Sequence, residues 1–395
     1  MAQLSFLGFL LVAVILGSVQ QYYRPEIENW IDDVGLFKGA VKNHGMDKCT
    51  KIMGPYGVED MHIHHPSGTV IMAGGDIAAR REWFPPTLHF NRSNDVKDPI
   101  FTYDLKTNKV QRLTVVNLPE DADLKLHGMD FVEDPKDSRL LYVFFINHRR
   151  TGSVVEIMQY RLGSDKIEWL ETVKDEQHIY SPNDIAAVSR SEFYVTNFYH
   201  YYKEASIMRA VEGLARQAWS TVAFHHANGT MTFVDEHVPT ANGIALNGEK
   251  TLLWVSANRA GRMYVYRRDP ETNAIRKLDQ VRVGMYPDNP SVDPTTGPAR
   301  ATDWDKTYDN PDPEAVSATK VVKITPAPIN MRRVQEFPKD SPYVRQTERT
   351  RFIAQSYIDD DGHKFTHGTI AAISTKWNAL LLGSIMGEGI WHCRL

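Results

Sequence analysis

An amide and a carboxylate stand side by side in the stretch Tyr180-Ser181-Pro182-Asn183-Asp184-Ile185. Neighbouring side chains of an extended chain point to opposite faces, so Asn183 and Asp184 could serve two different sites. Glu59 and Asp60 repeat this arrangement of adjacent oxygen-bearing side chains. Carboxylate and amide oxygens are the donors that calcium prefers, whereas zinc and copper favour nitrogen or sulfur. The two pairs therefore indicate calcium chemistry at two sites.

Polar loops of the same kind recur before further hydrophobic runs. The six loops are Gly57-Val58-Glu59-Asp60-Met61, Leu126-His127-Gly128-Met129, Pro182-Asn183-Asp184-Ile185, Ala241-Asn242-Gly243-Ile244, Pro287-Asp288-Asn289-Pro290 and His367-Gly368-Thr369-Ile370. If these loops converge, one calcium ion could be held by Glu59, Asn183, Asn242, Asp288 and Asn289, with a second oxygen site at Asp60 and Asp184. In any single loop, a turn role explains Asn or Asp more simply. Their recurrence in several loops in register favours the metal interpretation.

Two histidines could add hydrolytic chemistry to this cluster. His127 occupies the same loop position as the oxygen ligands, and His148 ends the apolar run that begins at Leu140. Beside a calcium ion that polarises a carbonyl group, an imidazole could activate the attacking water. The alternative for each histidine is a purely structural role. Because the chain has no Gly-x-Ser-x-Gly, Walker or His-Glu-x-x-His motif, it lacks the signatures of serine hydrolases, P-loop enzymes and zincins.

Short apolar runs separated by turn residues follow each polar loop. One example is Ile244-Ala245-Leu246, the turn Asn247-Gly248 and the run Leu252-Leu253-Trp254-Val255. Repeated units of three or four short antiparallel strands are typical of propeller blades, and the first strand of each blade lines a central channel. The sequence therefore predicts an all-β, six-bladed β-propeller with a central calcium-binding channel.

One segment has the periodicity of a helix instead. Ile207, Val211, Leu214 and Ala218 follow the spacing of an amphipathic α-helix. We expect this helix to pack against a blade, and the alternative is a lid beside the mouth of the channel.

The first 23 residues carry no charged side chain and contain an apolar run from Leu4 to Val19. This run predicts a short hydrophobic helix, either a removed signal peptide or a retained membrane anchor. Both interpretations place the rest of the chain on the lumenal or extracellular side. We expect residues 24–48 to form a lead segment and residues 49–395 the propeller domain.

Cysteine content agrees with secretion. Cys49 and Cys393 are the only cysteines, and in an oxidising compartment they would pair; two unpaired thiols are the alternative. Asn91 and Asn228 begin glycosylation sequons. The 45 basic and 49 acidic side chains give a net charge of −4 without a basic stripe, which argues against a nucleic-acid partner.

Taken in order, these motifs resemble the serum paraoxonase/arylesterase family over about residues 45–395. The resemblance rests on Gly57-Val58-Glu59-Asp60, His127-Gly128, Asn147-His148, Asn183-Asp184-Ile185, Phe193-Tyr194-Val195-Thr196-Asn197, Ala241-Asn242-Gly243-Ile244, Asp288-Asn289 and Ser291-Val292-Asp293-Pro294.

This resemblance implies a six-bladed propeller that binds two calcium ions and hydrolyses lactones, aryl esters and, in some members, organophosphates. The catalytic ion would be bound by Glu59, Asn183, Asn242, Asp288 and Asn289. The structural ion would be bound by Asp60, Asp184 and the backbone carbonyl of Met129. His127 and His148 correspond to the family's proposed general-base dyad, and Cys49 and Cys393 to its disulfide.

The sequence departs from the family pattern after Gly297, where an apolar strand with a further histidine is replaced by Pro298-Ala299-Arg300-Ala301-Thr302-Asp303. This departure predicts an incomplete or rebuilt fifth blade. It leaves two alternatives to a calcium-dependent arylesterase or lactonase: a non-catalytic, calcium-stabilised propeller that binds partners, and a propeller enzyme like strictosidine synthase.

Overall fold

The structure, a computed structural model, describes residues 41–91, 95–120, 122–203, 207–294, 297–302, 316–327, 344 and 349–395, preceded by Gly17, Arg24 and residues 27–31; for residues 297–302 it describes the backbone alone. Backbone contacts divide the chain into residues 1–39 and residues 40–395. Apart from Gly17, the predicted leader at residues 1–23 lies outside the described residues. Among the described residues, no helix has the length and apolar character that a membrane crossing requires.

Short strands dominate residues 40–395. The elements up to residue 173 are β1 (Cys49–Tyr56), β2 (Asp60–His64), β3 (Thr69–Ala73), α1 (Ile77–Glu82), β4 (Trp83–Phe84), β5 (His89–Phe90), β6 (Ile100–Asp104), β7 (Lys109–Arg112), β8 (Thr114–Val116), β9 (Leu126–Glu133), β10 (Leu140–Arg149), β11 (Gly152–Arg161) and β12 (Lys166–Val173), with 3-10 helices at Met46–Lys48 and Pro85–Thr87. The elements that follow are β13 (Pro182–Ser189), β14 (Glu192–Asn197), α2 (Ile207–Leu214), β15 (Ser220–His225), β16 (Met231–Val238), β17 (Ala241–Leu246), β18 (Leu252–Ala257), β19 (Arg262–Arg268), β20 (Ile275–Arg282), β21 (Pro287–Asp293), β22 (Gly297–Thr302), β23 (Thr319–Pro326), β24 (Phe352–Asp360), β25 (Gly368–Ser374), β26 (Ala379–Ser384) and β27 (Glu388–Arg394).

These strands form a β-propeller. The sheets run β2-β3-β6-β7, β9-β10-β11-β12-β8, β13 to β16, β17 to β20, and β1-β27-β26-β25-β21-β22-β23-β24, beside a small β4-β5 hairpin. The six polar motifs, predicted as loops, lie at the start of β2, β9, β13, β17, β21 and β25, and four of them are the first residues of their strands. Each of these strands contacts the next and β25 contacts β2, which closes a ring. The first strands of the repeating units therefore surround a common centre, as the sequence predicts.

The number of separate sheets differs from the prediction. Counted as hydrogen-bonded sheets, the described residues form five blades rather than six. The difference arises because a single parallel residue pair, Asn289 with Ile370, joins two antiparallel four-stranded groups into the eight-stranded sheet. One of these groups contains β22, which pairs with β21 and β23, so the unit predicted to be incomplete has four strands.

Apolar side chains fill the layers between neighbouring groups of strands. Ile71 and Phe145 belong to the layer between the first two sheets, and Val321 and Leu380 to a layer within the eight-stranded sheet. The disulfide between Cys49 and Cys393 joins β1 to β27, which confirms the predicted pairing and links the first strand of the propeller to its last.

Helix α2 is shorter than predicted, and it does not bury its apolar face. It ends at Leu214, before Ala218, and Ile207 and Leu214 are 84% and 70% exposed. The expectation that this face packs against a blade is therefore wrong. The reason is Glu212, whose buried carboxylate accepts hydrogen bonds from the backbone N–H groups of His200 and Tyr201 and so turns the polar side of the helix inward.

Candidate active site

Two glycines allow the first strands of neighbouring units to approach closely. A Cβ atom on Gly128 would lie 2.4 Å from a carboxylate oxygen of Asp184. A Cβ atom on Gly243 would lie 2.5 Å from the Cα atom of Asn289. Such distances exclude a larger residue without a backbone shift, so the His-Gly and Asn-Gly motifs follow from strand proximity. The side chains that precede these glycines are thereby brought next to the neighbouring loop.

The first oxygen group consists of Glu59, Asn183, Asn242, Asp288 and Asn289, all of which are at most 2% exposed. Four buried oxygens in this group accept no hydrogen bond: Oε2 of Glu59 and the Oδ1 atoms of Asn183, Asn242 and Asn289. The other carboxylate oxygen of Glu59 accepts a hydrogen bond of 2.7 Å from Nδ2 of Asn289. Buried polar atoms normally have partners, and four unpaired oxygens in one group are donors that suit a cation.

A cavity of about 10 Å³ connects this group with a histidine. Glu59, Asn183, Asn242, Asp288 and His127 line it together with Thr369, and four apolar residues close it: Phe84, Pro86, Phe198 and Ile385. That volume is about what one water molecule or small ion occupies. Four of the five members of the first oxygen group therefore border a space of the size of an ion, and apolar side chains line the rest of it together with His127 and Thr369.

The carboxylate pair, Asp60 and Asp184, lies beside the first group and differs from it in hydrogen bonding. The oxygens of Asp60 accept hydrogen bonds of 2.8 Å from the backbone N–H groups of Met61 and Met129. Those of Asp184 accept hydrogen bonds of 2.7 Å from Ile185 and Ile244. Burial, together with the carboxylates of Asp60 and Glu59, raises the pKa of Asp184 well above its usual range.

An imidazole that the sequence analysis missed borders this pair. Nε2 of His62 lies 3.6 Å from Asp60, and its Nδ1 lies 3.4 Å from Asp130. Burial lowers the pKa of His62, but the two carboxylates outweigh it and raise the pKa to about 9. A signal existed in the sequence, because His62 follows Asp60 by two residues and so shares its face of β2.

The two predicted histidines are in contact. Nδ1 of His127 lies 3.0 Å from Nε2 of His148, and Nδ1 of His148 lies 2.8 Å from the hydroxyl of Ser153. Nε2 of His127 lies 3.5 Å from Oε1 of Glu59. Burial, then the neighbouring His127 and Arg80, hold the pKa of His148 well below its usual value. His148 is therefore a neutral imidazole at pH 7, which leaves it able to accept a hydrogen bond from His127.

Sequence reasoning also missed the residues that hold this histidine pair. Ser153 stands opposite His148 in the β10–β11 hairpin, a register that the turn at residues 151–153 could have revealed. Phe84 packs edge-on against both imidazole rings at centroid distances of 4.9 and 5.5 Å. Trp83 donates a hydrogen bond from its indole to the carbonyl of His148. Neither aromatic residue has a sequence signal, because both lie in the insert between β3 and β6.

The donor set decides which metal would fit. In the part of the chain that the structure describes, no group of three or more His, Cys, Asp or Glu side chains has the arrangement of a metal site. Three of the five members of the first oxygen group are asparagines, and amide oxygens are calcium ligands. The orphaned oxygens, their burial and the cavity that they border fit a hard cation bound by oxygen.

A family model described as Arylesterase matches residues 64–389. Serum paraoxonase/arylesterase 2 of Rattus norvegicus is 28% identical over 260 residues, which cover 65% of this chain and 69% of the relative. Serum paraoxonase/lactonase 3 of Oryctolagus cuniculus is 26% identical over 300 residues, 75% of each chain. Among solved structures, a luciferin-regenerating enzyme is similar with a TM-score of 0.51 and 13% identity, covering 88% of this chain and 95% of that chain. This last likeness concerns the fold alone.

Proposed function

Because this chain belongs to the arylesterase family, we propose that it hydrolyses carboxylic esters, with aryl esters and lactones as its substrate classes. Relatives named arylesterase and lactonase support this assignment. The observation that carries it is the position of His127, which lines the cavity together with the buried oxygens and contacts His148. Organophosphate esters are a further substrate class by the same resemblance.

We propose that two calcium ions are bound. The first oxygen group would hold the catalytic ion, whose chemistry is to polarise the substrate carbonyl and to stabilise the oxyanion. Asp60, Asp184 and the backbone carbonyl of Met129 would hold the structural ion. The first site has the stronger support, because its oxygens lack hydrogen-bond partners. The second site has weaker support, because the oxygens of the carboxylate pair already accept four backbone hydrogen bonds.

The chain's own residues supply the base. With Nδ1 protonated, His127 donates a hydrogen bond to Nε2 of the neutral His148, and His148 donates one from its own Nδ1 to Ser153. This tautomer leaves Nε2 of His127 with a free lone pair beside the cavity, where it accepts the proton of the attacking water. His148 and Ser153 fix the ring orientation and stabilise the imidazolium that forms.

Removal of calcium tests this function. Exhaustive chelation of the purified protein should abolish hydrolysis of phenyl acetate and of a simple lactone, and added calcium should restore it. The His127→Gln variant should lose activity by about 10²- to 10⁴-fold while still binding calcium. His363, an exposed histidine outside the site, provides the control variant His363→Gln. Hydrolysis that survives chelation unchanged contradicts the proposal, and calcium binding without hydrolysis of any ester or lactone indicates a non-catalytic binding module.

We also propose that the protein is secreted or lumenal, or anchored by its uncleaved leader. The hydrophobic leader and the disulfide support this location. Both sequon asparagines, Asn91 and Asn228, are exposed and accessible to glycosylation. A mobility shift after glycosidase treatment of the protein from a secretory host, lost in the Asn91→Gln/Asn228→Gln variant, tests this assignment.

A further inference from the structure

A second and much larger cavity lies outside the candidate active site. This cleft, of about 1110 Å³, is formed by the sheet β13 to β16 and by the segments before β13 and after β14. Half-buried aromatic side chains line it: Tyr180, Tyr201, Tyr202, Trp219 and Phe233. No step of the proposed hydrolysis uses these residues.

The aromatic rings of this cleft follow one another in contact. The centroid of Tyr180 lies 5.5 Å from that of Tyr202 and 6.2 Å from that of His200. His200 and Tyr201 are 4.9 Å apart, and Tyr201 and Trp219 are 5.8 Å apart. Five neighbouring rings therefore form a continuous aromatic wall, and the face of each ring carries the partial negative charge of its quadrupole.

The lining of the cleft includes a carboxylate without an ion pair among the described residues. Glu176, Glu236 and Lys203 are its exposed charged side chains, and Glu176 pairs with Lys174 at 3.0 Å, so Glu236 is the carboxylate that a bound cation would meet. The ammonium group of Lys203 lies 5.7 Å from the centre of the Tyr202 ring, so the wall already holds one cation of the chain itself. A bound anion would meet the carboxylate of Glu236, whereas a neutral apolar ligand would gain nothing from it.

One hydroxyl of the aromatic wall has a partner inside the cleft. The hydroxyl of Tyr180 lies 3.1 Å from that of Thr221. Burial raises the pKa of Tyr180 to about 12, and the carboxylates of Glu212 and Glu236 add to the rise. Tyr180 therefore lines the cleft as a neutral phenol at pH 7.

We propose that this cleft binds a small organic cation of the quaternary ammonium type. Aromatic faces attract such cations through their quadrupole, and the attraction grows when the site is partly desolvated. A methylated ammonium group is too weakly hydrated to prefer water strongly, and its methyl groups, which share the positive charge, would contact the rings near the carboxylate of Glu236. This ligand class uses both the aromatic wall and Glu236.

Choline and its uncharged isostere 3,3-dimethylbutan-1-ol provide the test, since the two differ essentially in charge. Titration of the intact protein by calorimetry or ligand-observed NMR should give saturable choline binding that is about tenfold or more tighter than that of the neutral alcohol. Equal affinities overturn the proposal, as does the absence of saturable choline binding at millimolar concentration.

Three variants locate the binding. Trp219→Ala should weaken choline binding by about tenfold, and Glu236→Gln, which changes only an exposed carboxylate, should weaken it by about threefold. Glu249→Gln, which changes an exposed acid in the turn between β17 and β18, is the control and should bind as the original protein does. Circular dichroism establishes that each variant is folded. Choline binding that both cleft variants leave unchanged places the site elsewhere and overturns the proposal, whatever the ester hydrolysis assay shows.

Discussion

The first oxygen group and the carboxylate pair are neighbours, yet their buried oxygens are satisfied in different ways. In the first group, four oxygens accept no hydrogen bond. In the carboxylate pair, all four oxygens accept backbone N–H groups, and the imidazole of His62 adds a positive charge beside Asp60. The first group therefore has four oxygens without a hydrogen-bond partner from the chain, whereas the chain supplies partners for every oxygen of the carboxylate pair.

This difference suggests separate roles, with the first oxygen group suited to ligand binding and the carboxylate pair to the stability of the fold. An orphaned carboxylate or amide oxygen costs free energy in the folded protein until a cation binds, so the first group is prepared for a ligand at the expense of stability. The carboxylate pair instead connects neighbouring units. Asp60 on β2 accepts the N–H group of Met129 on β9, and Asp184 on β13 accepts that of Ile244 on β17. We therefore expect substitutions in the two regions to have opposite effects.

The largest effect on stability is expected for Asp184→Ala. This change leaves the N–H groups of Ile185 and Ile244 buried without an acceptor, at about 1–3 kcal/mol each. The free energy of unfolding, measured by urea denaturation in calcium, should fall by about 3 kcal/mol or more. Asp184→Asn, which retains one oxygen acceptor, should lose about half as much. An unchanged free energy of unfolding would show that the carboxylate pair does not hold the units together.

Asn183→Ala should give the reverse pattern. It removes an oxygen that accepts no hydrogen bond, so without calcium the free energy of unfolding should stay within about 1 kcal/mol of the original value or rise slightly. With calcium, ester hydrolysis should drop about tenfold or more and the calcium requirement should increase. Equal destabilisation with and without calcium would contradict the assignment of Asn183 to a cation site.

The placement of the first group could be predicted because its residues recur at equivalent positions of a repeated unit. The Asn-Gly and His-Gly pairs carry that information, since Gly128 and Gly243 are required where two first strands meet. The number of sheets could not be predicted, because it depends on one backbone pair, Asn289 with Ile370, between units distant in sequence. The covering role of Phe84 was equally hidden, because an insert outside the repeat has no equivalent position from which to infer it.

Amphipathic periodicity was informative about α2 but misleading about its orientation. The spacing of Ile207, Val211 and Leu214 predicted the helix, and the structure confirms it. Periodicity assigns the apolar face to the interior by default. Here one buried carboxylate, that of Glu212, accepts two backbone N–H groups and decides the orientation instead. Such a tertiary hydrogen bond is not encoded in the spacing of apolar residues.

The histidine pair predicts how stability depends on pH. The pKa of His148 in the folded protein lies well below its unfolded value of about 6.5. As the pH falls below about 6.5, His148 therefore binds a proton in the unfolded chain but stays neutral in the folded protein. Stability should therefore decrease as the pH falls from 7 to 5, and His148→Asn should show a shallower decrease. Calcium-free and calcium-loaded samples, compared by thermal unfolding at each pH, separate this contribution from carboxylate titration. A decrease that is equally steep in the variant would assign it to other groups.

The smallest effect is expected for His62→Gln, and it tests the comparison most directly. If the imidazolium of His62 offsets the negative charge of Asp60 and Asp130, its removal leaves both carboxylates without that positive charge. Calcium binding should then stabilise the folded protein more than it does in the original protein. The melting temperature should fall in a chelator by about 1–2 °C for each kcal/mol lost in a chain of this size, and the loss should shrink at saturating calcium. The increase in melting temperature on adding calcium should thus be larger for His62→Gln than for the original protein. The same loss of melting temperature in chelator and in calcium would show that His62 contributes packing alone. The carboxylate pair would then resemble the first oxygen group, because neither would have a positive charge supplied by the chain.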